Sequence, residues 1–453
     1  MSRVIPRPLF AALLIALLWS GLLAVIFPYH ATDDALEYDR IAQNLATGHG
    51  FSLSTVPPFV PTMYREPVYP LLLSGVFRIA GHRYGAAQAA QIGLFLLTVL
   101  LVYHTASMTY DARIAQMAAL CTALAPPLAN FPSYLLSETL FTCLLIALVW
   151  ALVKTVSSAR VWWYVLVGFL GGMLVLCKAI AVLFVVPIIV VWMVSPRCAK
   201  QIGFARRMGR SLVFLVSACL VVCPWIVRNQ QRFGSGTAVA LRGGRAIWQR
   251  AQQLEQTPVQ VVQTMVFSMS EFLGKALFPT AVDRPRDFLL RASGLSNQRM
   301  RAWEAEGMSP AHIDQRFLEE GLQAIRAHPV RYLAQSGLEW LKMAAFIYLP
   351  VLNEPRVEDA TRRVSGGRLG LAMLRGGLHL SAFAILIFAY LGAWVTRVEW
   401  ERWLFIALPV VVLTVAYSLL SAYGRFAVPL VPLYLILACA GWRTLQERHA
   451  WSV

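Results

Sequence analysis

Apolar runs of roughly 16 to 25 residues alternate along this chain with short charged stretches. A run of that length is what a helix needs to cross a bilayer, because in hydrocarbon a helix satisfies its own backbone N–H and C=O groups. The pattern predicts a first span from Pro8 to Phe27. Further spans follow at about Ala86 to Ala106, Arg113 to Asn130, Tyr134 to Val156, Val161 to Leu176, Ala179 to Val194, Ser211 to Val227, Leu371 to Val395, Trp403 to Tyr423 and Phe426 to Trp442. The stretch Val161 to Val194 would run about 51 Å as one helix at 1.5 Å per residue, too long for one crossing, so it divides at Lys178 into a hairpin with that lysine at its tip. The strict alternation that a barrel requires is missing. The expected fold is therefore all-α: a polytopic membrane bundle of about ten transmembrane helices with interfacial helices on its outer side.

The remaining pattern is amphipathic. Tyr38, Ile41, Ala42 and Leu45 form a helical stripe within Asp34 to Ala46, and Gly48 follows as a stop. Ser309 reads as an N-cap with Pro310 behind it; Ile313, Phe317, Ala324 and Ile325 then give a helix ending before His328-Pro329. Leu71 to Ala80 is too short to span and is expected to lie in the interface, as is Tyr332 to Leu349, although the latter's apolar character would also allow an eleventh span.

Composition sharpens the class. Of 453 residues, 58% are hydrophobic and 14% charged, and the mean hydropathy is +0.59, which excludes a water-soluble enzyme. The net charge of +17 would suggest nucleic acid in a soluble protein; here cationic loops at anionic leaflets and cationic pockets for lipid phosphates explain it, and no nucleic-acid partner is expected. Arg3, Arg7, Arg113, Lys154, Arg160, the cluster from Arg197 to Arg210, Arg397, Arg402, Arg443 and Arg448 all fall on one side if there are ten spans, which makes that side cytoplasmic. Arg3 and Arg7 before the first run mimic a signal peptide, but the run is too long and lacks a small-residue cleavage site, so it reads as a retained span. The seven cysteines lie almost entirely inside apolar runs without metal spacing, so neither disulfides nor zinc are expected. Three regions result: 1–228, a transmembrane module whose first outer loop spans 29–84; 229–370, an outer interfacial segment; and 371–453, the last spans with a short cytoplasmic tail.

Chemistry has room only in the outer segments. Asp34 opens its helix, where free N–H groups and the helix dipole keep a carboxylate ionised, which suits a base or a cation ligand. It shares a face with Tyr38 at i+4, while Glu37 and Asp39 are read as turned elsewhere. A plain N-cap at Asp33 or Asp34 explains the same pattern. Glu138 is an intramembrane carboxylate, which by cost usually faces a cavity, unless it snorkels to the interface. Lys178 either snorkels or binds a phosphate. Arg228 and Arg425 stand on the outer side against the usual charge bias and call for an anionic partner, whether a ligand or a loop carboxylate. Arg65 and Glu66 sit in Tyr64-Arg-Glu-Pro-Val-Tyr69-Pro70, where prolines break the first outer loop.

Taken in order, Asp33-Asp34-Ala-Leu-Glu-Tyr38 with Gly48-His-Gly50-Phe51, then Arg65-Glu-Pro67-Val-Tyr69-Pro70, Leu136-Ser137-Glu138, Cys177-Lys178-Ala179, Pro224-Trp225-Ile-Val-Arg228-Asn229 and Gly424-Arg425-Phe-Ala-Val-Pro429 resemble the GT-C glycosyltransferases. That group includes the dolichyl-phosphate-mannose protein mannosyltransferases and the bacterial aminoarabinose transferases. Each motif is weak alone; six in order are specific to the superfamily. The resemblance implies a polyprenyl-phosphate sugar donor, a hydroxyl acceptor on a protein, lipid or glycan, and an active site on the periplasmic side of the inner membrane. It implies Asp34 as catalytic base with Glu138 as the second acid, and Arg65, Lys178, Arg228 and Arg425 as donor-phosphate ligands, with Tyr38, Glu66 and Tyr69 near the substrate. Lys178 stands where many relatives carry Arg-Pro, and the outer segments are short, which bears on how an acceptor is held.

Neutralising a departing phosphate with Arg and Lys requires no acid, and one base without a nucleophilic partner implies inversion at the anomeric carbon. No cofactor is expected to be required; a divalent cation between Asp34 and Glu138 is conceivable, but two carboxylates far apart in sequence give no ground for one. The competing class is a transporter or flippase of lipid-linked sugars, which would spread ionisable groups along a path through the membrane rather than crowd them at the outer ends. A scaffold subunit would tolerate loss of Asp34.

Overall fold

The computed structural model describes residues 6–26, 33–158, 160–195, 202–234, 239, 243–269, 274, 277–279, 285–345, 367–396, 400–420 and 424–450. The expectations for Arg3, Arg197, Lys200, Arg397 and 346–349 lie outside the described residues. Among those described, the regular structure is helical, and strand pairing is limited to one bridge between Ser52 and Pro61. The all-α class stands.

The N-terminal helices are α1 (Arg7–Ile26), α2 (Asp33–Ala46), α3 (Val68–Ala80), α4 (Tyr84–Thr109), α5 (Ala112–Leu124), α6 (Pro126–Asn130), α7 (Glu138–Ser157), α8 (Trp162–Cys177), α9 (Val185–Val194) and α10 (Phe204–Phe233). Then come α11 (Gly243–Gln252), α12 (Pro258–Met269), α13 (Pro285–Ala305), α14 (Pro310–Ala327) and α15 (Pro329–Ala345), followed by α16 (Gly367–Val395), α17 (Trp400–Leu419) and α18 (Val431–Ala450). Among the described residues, six helical segments are long and apolar enough to cross a membrane: α1, α4, α7, α10, α16, and α18 with the turn before it. The bent pair α5/α6 makes a seventh. The other three spans counted from the sequence correspond to the shorter apolar helices Trp162–Cys177, Ala179–Val194 and Trp403–Leu419. The chain is a multi-pass membrane protein.

Burial follows the membrane setting. On α1 the small residues Ala12, Ala16 and Ser20 face inward while Phe10, Leu18 and Val25 stay exposed, because a lipid-facing surface has no reason to hide its apolar side chains. On α8, Gly168 and Gly172 let α10 come close: a Cβ on Gly172 would lie 2.7 Å from Val221 Cβ, and one on Gly168 would strike the Phe214 carbonyl and lie 2.6 Å from Ser217 Cβ. This is small-residue packing of the kind that joins membrane helices. Gly168→Leu is expected to lower stability by about 1–3 kcal/mol through overpacking against backbone, read as a lower midpoint of thermal unfolding in detergent; an unchanged midpoint would show that α10 can shift.

Two boundaries differ from the sequence pattern. The span from Arg113 breaks after Leu124 and bends by 53°, because Pro126-Pro127 removes two amide donors and forces Ala125 into an extended conformation. The next span starts at Glu138 rather than Tyr134, since the turn Phe131–Ser133 carries Pro132. The division at Lys178 is observed: α8 ends at Cys177, Lys178 is extended (φ −149°, ψ 116°), and a 3₁₀ turn, Ala179–Phe184, leads into α9.

Between the spans, α2 buries Ala35, Tyr38, Ile41 and Ala42 and ends before Gly48 at φ +85°. The Ser309 side chain accepts from the His312 amide to start α14, which buries Ile313 and Phe317. The short helix α3 buries Val68, Tyr69, Leu73 and Phe77 and leaves Leu71 and Ile79 outward.

Candidate active site

Five separate parts of the chain bring ionised groups together at one end of the bundle. The first turn of α2 supplies Asp34 and Glu37; the loop before α3 supplies Arg65 and Glu66. The first residue of α7 is Glu138, the break between α8 and α9 holds Lys178, and the 3₁₀ turn Gly424–Leu430 supplies Arg425. Helix ends are suited to this, since their free backbone groups and dipoles favour charge where a helix middle would not.

Asp34 lies between two guanidinium groups. Arg65 Nη2 donates to its Oδ1, and Arg425 Nη2 donates to its Oδ2 at 2.7 Å across 391 residues of sequence. Arg65 Nε also donates to Glu37 Oε2 at 2.5 Å, so one guanidinium bridges two carboxylates on α2. Burial opposes charge on Arg65, but Tyr38, Asp34 and Glu37 outweigh it and raise its pKa. Arg425 Nε is 3.9 Å from Glu138 Oε1, and the same oxygen accepts from Lys178 Nζ at 3.0 Å. Of that last pair Glu138 is buried and Lys178 mostly so, with side-chain exposures of 3% and 14%. The result is an alternating chain of charge, Glu37, Arg65, Asp34, Arg425, Glu138 and Lys178, in which each charge removed from water faces its opposite.

Other candidates take supporting places. Glu66 Oε1 accepts from the Ala179 amide at 3.2 Å, tying the loop before α3 to the hairpin tip. Tyr38 is buried beneath Arg65, whose guanidinium lies 4.8 Å from its ring centre, and donates to Ser137 Oγ at 3.4 Å; burial pushes its hydroxyl pKa up. Tyr69 packs edge-on against Tyr38 and donates to Gln91 at 3.1 Å. Arg228 does not join the carboxylates: it donates to the Thr62 carbonyl and Asn229 Oδ1, both at 2.8 Å, among Phe51, Trp225 and Phe233.

Glu37 is a correction to the sequence reading. It is not turned away from Asp34; both engage Arg65, and the i, i+3 spacing that makes them neighbours on a helix was the available signal. Asp39 was also passed over. It is 4% exposed and held by His82 Nε2 at 2.7 Å and Tyr84 Oη at 3.0 Å, which pins α2 to the start of α4. Among the described residues no three His, Cys, Asp or Glu side chains are placed to hold a metal ion. Arg425 lies between Asp34 and Glu138, within reach of both carboxylates.

Residues 60–227 match the family described as dolichyl-phosphate-mannose-protein mannosyltransferase. No curated protein matches the chain. Among solved structures, the oligosaccharyltransferase of Archaeoglobus fulgidus in its apo form superposes with a TM-score of 0.53 at 14% identity, covering 97% of this chain and 51% of that one. The same enzyme, AglB, in complex with an inhibitory peptide and a dolichol-phosphate gives 0.51 at 13%, covering 98% and 51%. ArnT from Cupriavidus metallidurans gives 0.41 at 14%, covering 95% and 76%. The chain thus spans about half the length of the archaeal enzyme. It has the GT-C fold, and the resemblance to the GT-C glycosyltransferases implied by its ordered motifs stands.

Proposed function

We propose that the protein is an inverting glycosyltransferase that moves a sugar from a polyprenyl-phosphate donor to a hydroxyl acceptor at the outer, periplasmic face of the inner membrane. The observation that carries this reading is the paired placement of Asp34 between Arg65 and Arg425, with Glu138 and Lys178 adjoining. Three carboxylates and three cations meet there, with Asp34 at the middle between two guanidinium groups. The family match over 60–227 and the shared fold support it.

In this reading the residues divide by charge. Arg425 and Lys178 are held by carboxylates that a lipid phosphate can replace, so they receive the donor and stabilise the phosphate as the glycosidic bond breaks. Arg65 keeps Asp34 and Glu37 in register. Asp34 takes the proton from the incoming hydroxyl as that oxygen attacks C1 from the face opposite the phosphate, giving inversion. Glu138 holds Lys178 toward the site. Arg228, held on the Thr62 carbonyl, faces the outer loop and serves a more distant part of the donor or its approach. The regions 1–228, 229–370 and 371–453 then act as a catalytic membrane module, an acceptor-side cover and the spans that deliver Arg425.

Native mass spectrometry of the protein extracted from its own membrane tests the donor assignment. A polyprenyl-phosphate sugar is expected to accompany the wild type and to be retained about tenfold less by Lys178→Ala and Arg425→Ala, the loss of one charge-assisted hydrogen bond being about 1.5–3 kcal/mol. Equal retention in both variants would remove the phosphate pocket, and bulk phospholipid alone would favour a role without sugar transfer.

A further inference from the structure

Gln91 lies on α4, within a helix long and apolar enough to span, and is fully buried. A polar side chain in that setting is costly unless both ends of its amide are paired. Its Nε2 donates to the Pro132 carbonyl at 3.1 Å and to the Tyr134 carbonyl at 2.6 Å, and its Oε1 accepts from Tyr69 Oη at 3.1 Å. The two carbonyls fix which end of the amide is nitrogen, because an oxygen in that place would face two acceptors.

These bonds reach two different parts of the charged cluster. The turn Phe131–Ser133, which carries Pro132, leads through Tyr134 to Ser137 and Glu138, and the Tyr134 carbonyl also accepts from the Leu136 amide at 2.9 Å. Tyr69 belongs to the other part. Its ring stands edge-on to Tyr38 at 4.9 Å, and Tyr38 lies beneath Arg65 and donates to Ser137 Oγ at 3.4 Å. Arg425 joins Asp34 to Glu138 directly. Gln91 joins them a second time, through Tyr69 and Tyr38 on one side and the turn before α7 on the other. Gln88, one turn earlier on α4, donates to the Ser133 carbonyl at 3.0 Å and so holds the same turn without a bond to Tyr69.

We propose that Gln91 is a positioning residue: by bonding Tyr69 and the turn before α7 at once, it sets the spacing between the base, Asp34 with Arg65, and the phosphate-binding side, Glu138 with Lys178. This rests on the transferase reading above. Gln91 acts through other groups and not on the reacting atoms. A misplacement of about 1 Å from a change far from the chemistry can slow a reaction on the order of 10²-fold. A link that fixes such a spacing therefore governs the chemical step more than the binding of donor.

The test uses the full-length protein in native membrane vesicles, which supply the acceptor, from cells carrying only the copy under test. Polyprenyl-phosphate sugar recovered from the same membranes is added at several concentrations, and its consumption per folded molecule is followed by lipid mass spectrometry. Gln91→Met keeps the volume and removes all three bonds; kcat is expected to fall about 10–100-fold, with KM for the donor within about threefold of wild type. Tyr69→Phe keeps the ring and removes one bond, so it carries the test if Gln91→Met does not fold; its kcat should fall about tenfold. In the double variant the two falls should not multiply, leaving kcat within about threefold of Gln91→Met alone. Gln88→Met loosens the turn without touching Tyr69 and should keep kcat within about threefold of wild type. An unchanged kcat in Gln91→Met or Tyr69→Phe, a loss seen in KM alone, falls that multiply, or an equal fall in Gln88→Met overturns the proposal and leaves the transferase reading standing. Donor that the wild type binds and does not consume overturns both.

Discussion

Replacing Asp34 by asparagine is expected to lower sugar transfer by about 10²–10⁴-fold, the range that a positioned general base contributes, with the protein still folded and the proposed donor lipid retained. Asparagine preserves the shape of the side chain and an oxygen for one guanidinium, so Arg65 or Arg425 retains a partner. What it cannot do is accept the acceptor's proton. Transfer is measured in a single turnover with the lipid-linked sugar preloaded, and donor retention by mass spectrometry on the same sample. A loss of turnover with donor retained locates the defect in the chemical step. Transfer close to wild type would remove Asp34 as base and pass the role to Glu37, the neighbouring carboxylate on the same turn.

The second large effect is on stability. Glu138→Ala leaves Lys178 buried against Phe141 and Phe426 without its 3.0 Å partner. Removing one member of a buried ion pair costs about 3–5 kcal/mol, because the charge left behind has neither water nor an opposite charge. The variant is expected to unfold at clearly lower temperature and to accumulate poorly. The double variant Glu138→Ala, Lys178→Met removes both charges and should recover most of the loss, since an apolar pair in the same place is often neutral. A double-mutant cycle on unfolding midpoints reads the coupling. Additive losses would mean that the two side chains act independently and that Arg425, 3.9 Å from Glu138, is the partner that matters.

Much of the bundle was legible in the sequence because a membrane span is written as continuous apolar length, and the hairpin tip at Lys178 followed from a run too long for one crossing. The α2 and α14 helices were legible for a different reason: a periodic stripe and a capping serine are local signals. The bend after Leu124 was missed because Pro126-Pro127 sits inside an apolar run whose hydropathy gives no hint of it. The site was legible as a list of candidates and not as an arrangement. Asp34 and Arg425 are 391 residues apart, and no periodicity encodes which helix ends meet. For the same reason the sequence grouped Arg228 with the other cations, whereas α10 carries it to the Thr62 carbonyl, and it separated Glu37 from Asp34 although Arg65 joins them.

The contact between Asp34 and Arg425 also sets an order of events in biosynthesis. A membrane chain is made and inserted from its N-terminus, so α2 and its carboxylate exist long before the turn that carries Arg425. Until the segment leading into α18 arrives, Asp34 lacks its contact with Arg425, and Glu138 and Lys178 meet without their shared neighbour. The charged cluster is thus completed only once the turn that carries Arg425 has been inserted, and a nascent form that stops short of residue 424 lacks the contact with Asp34.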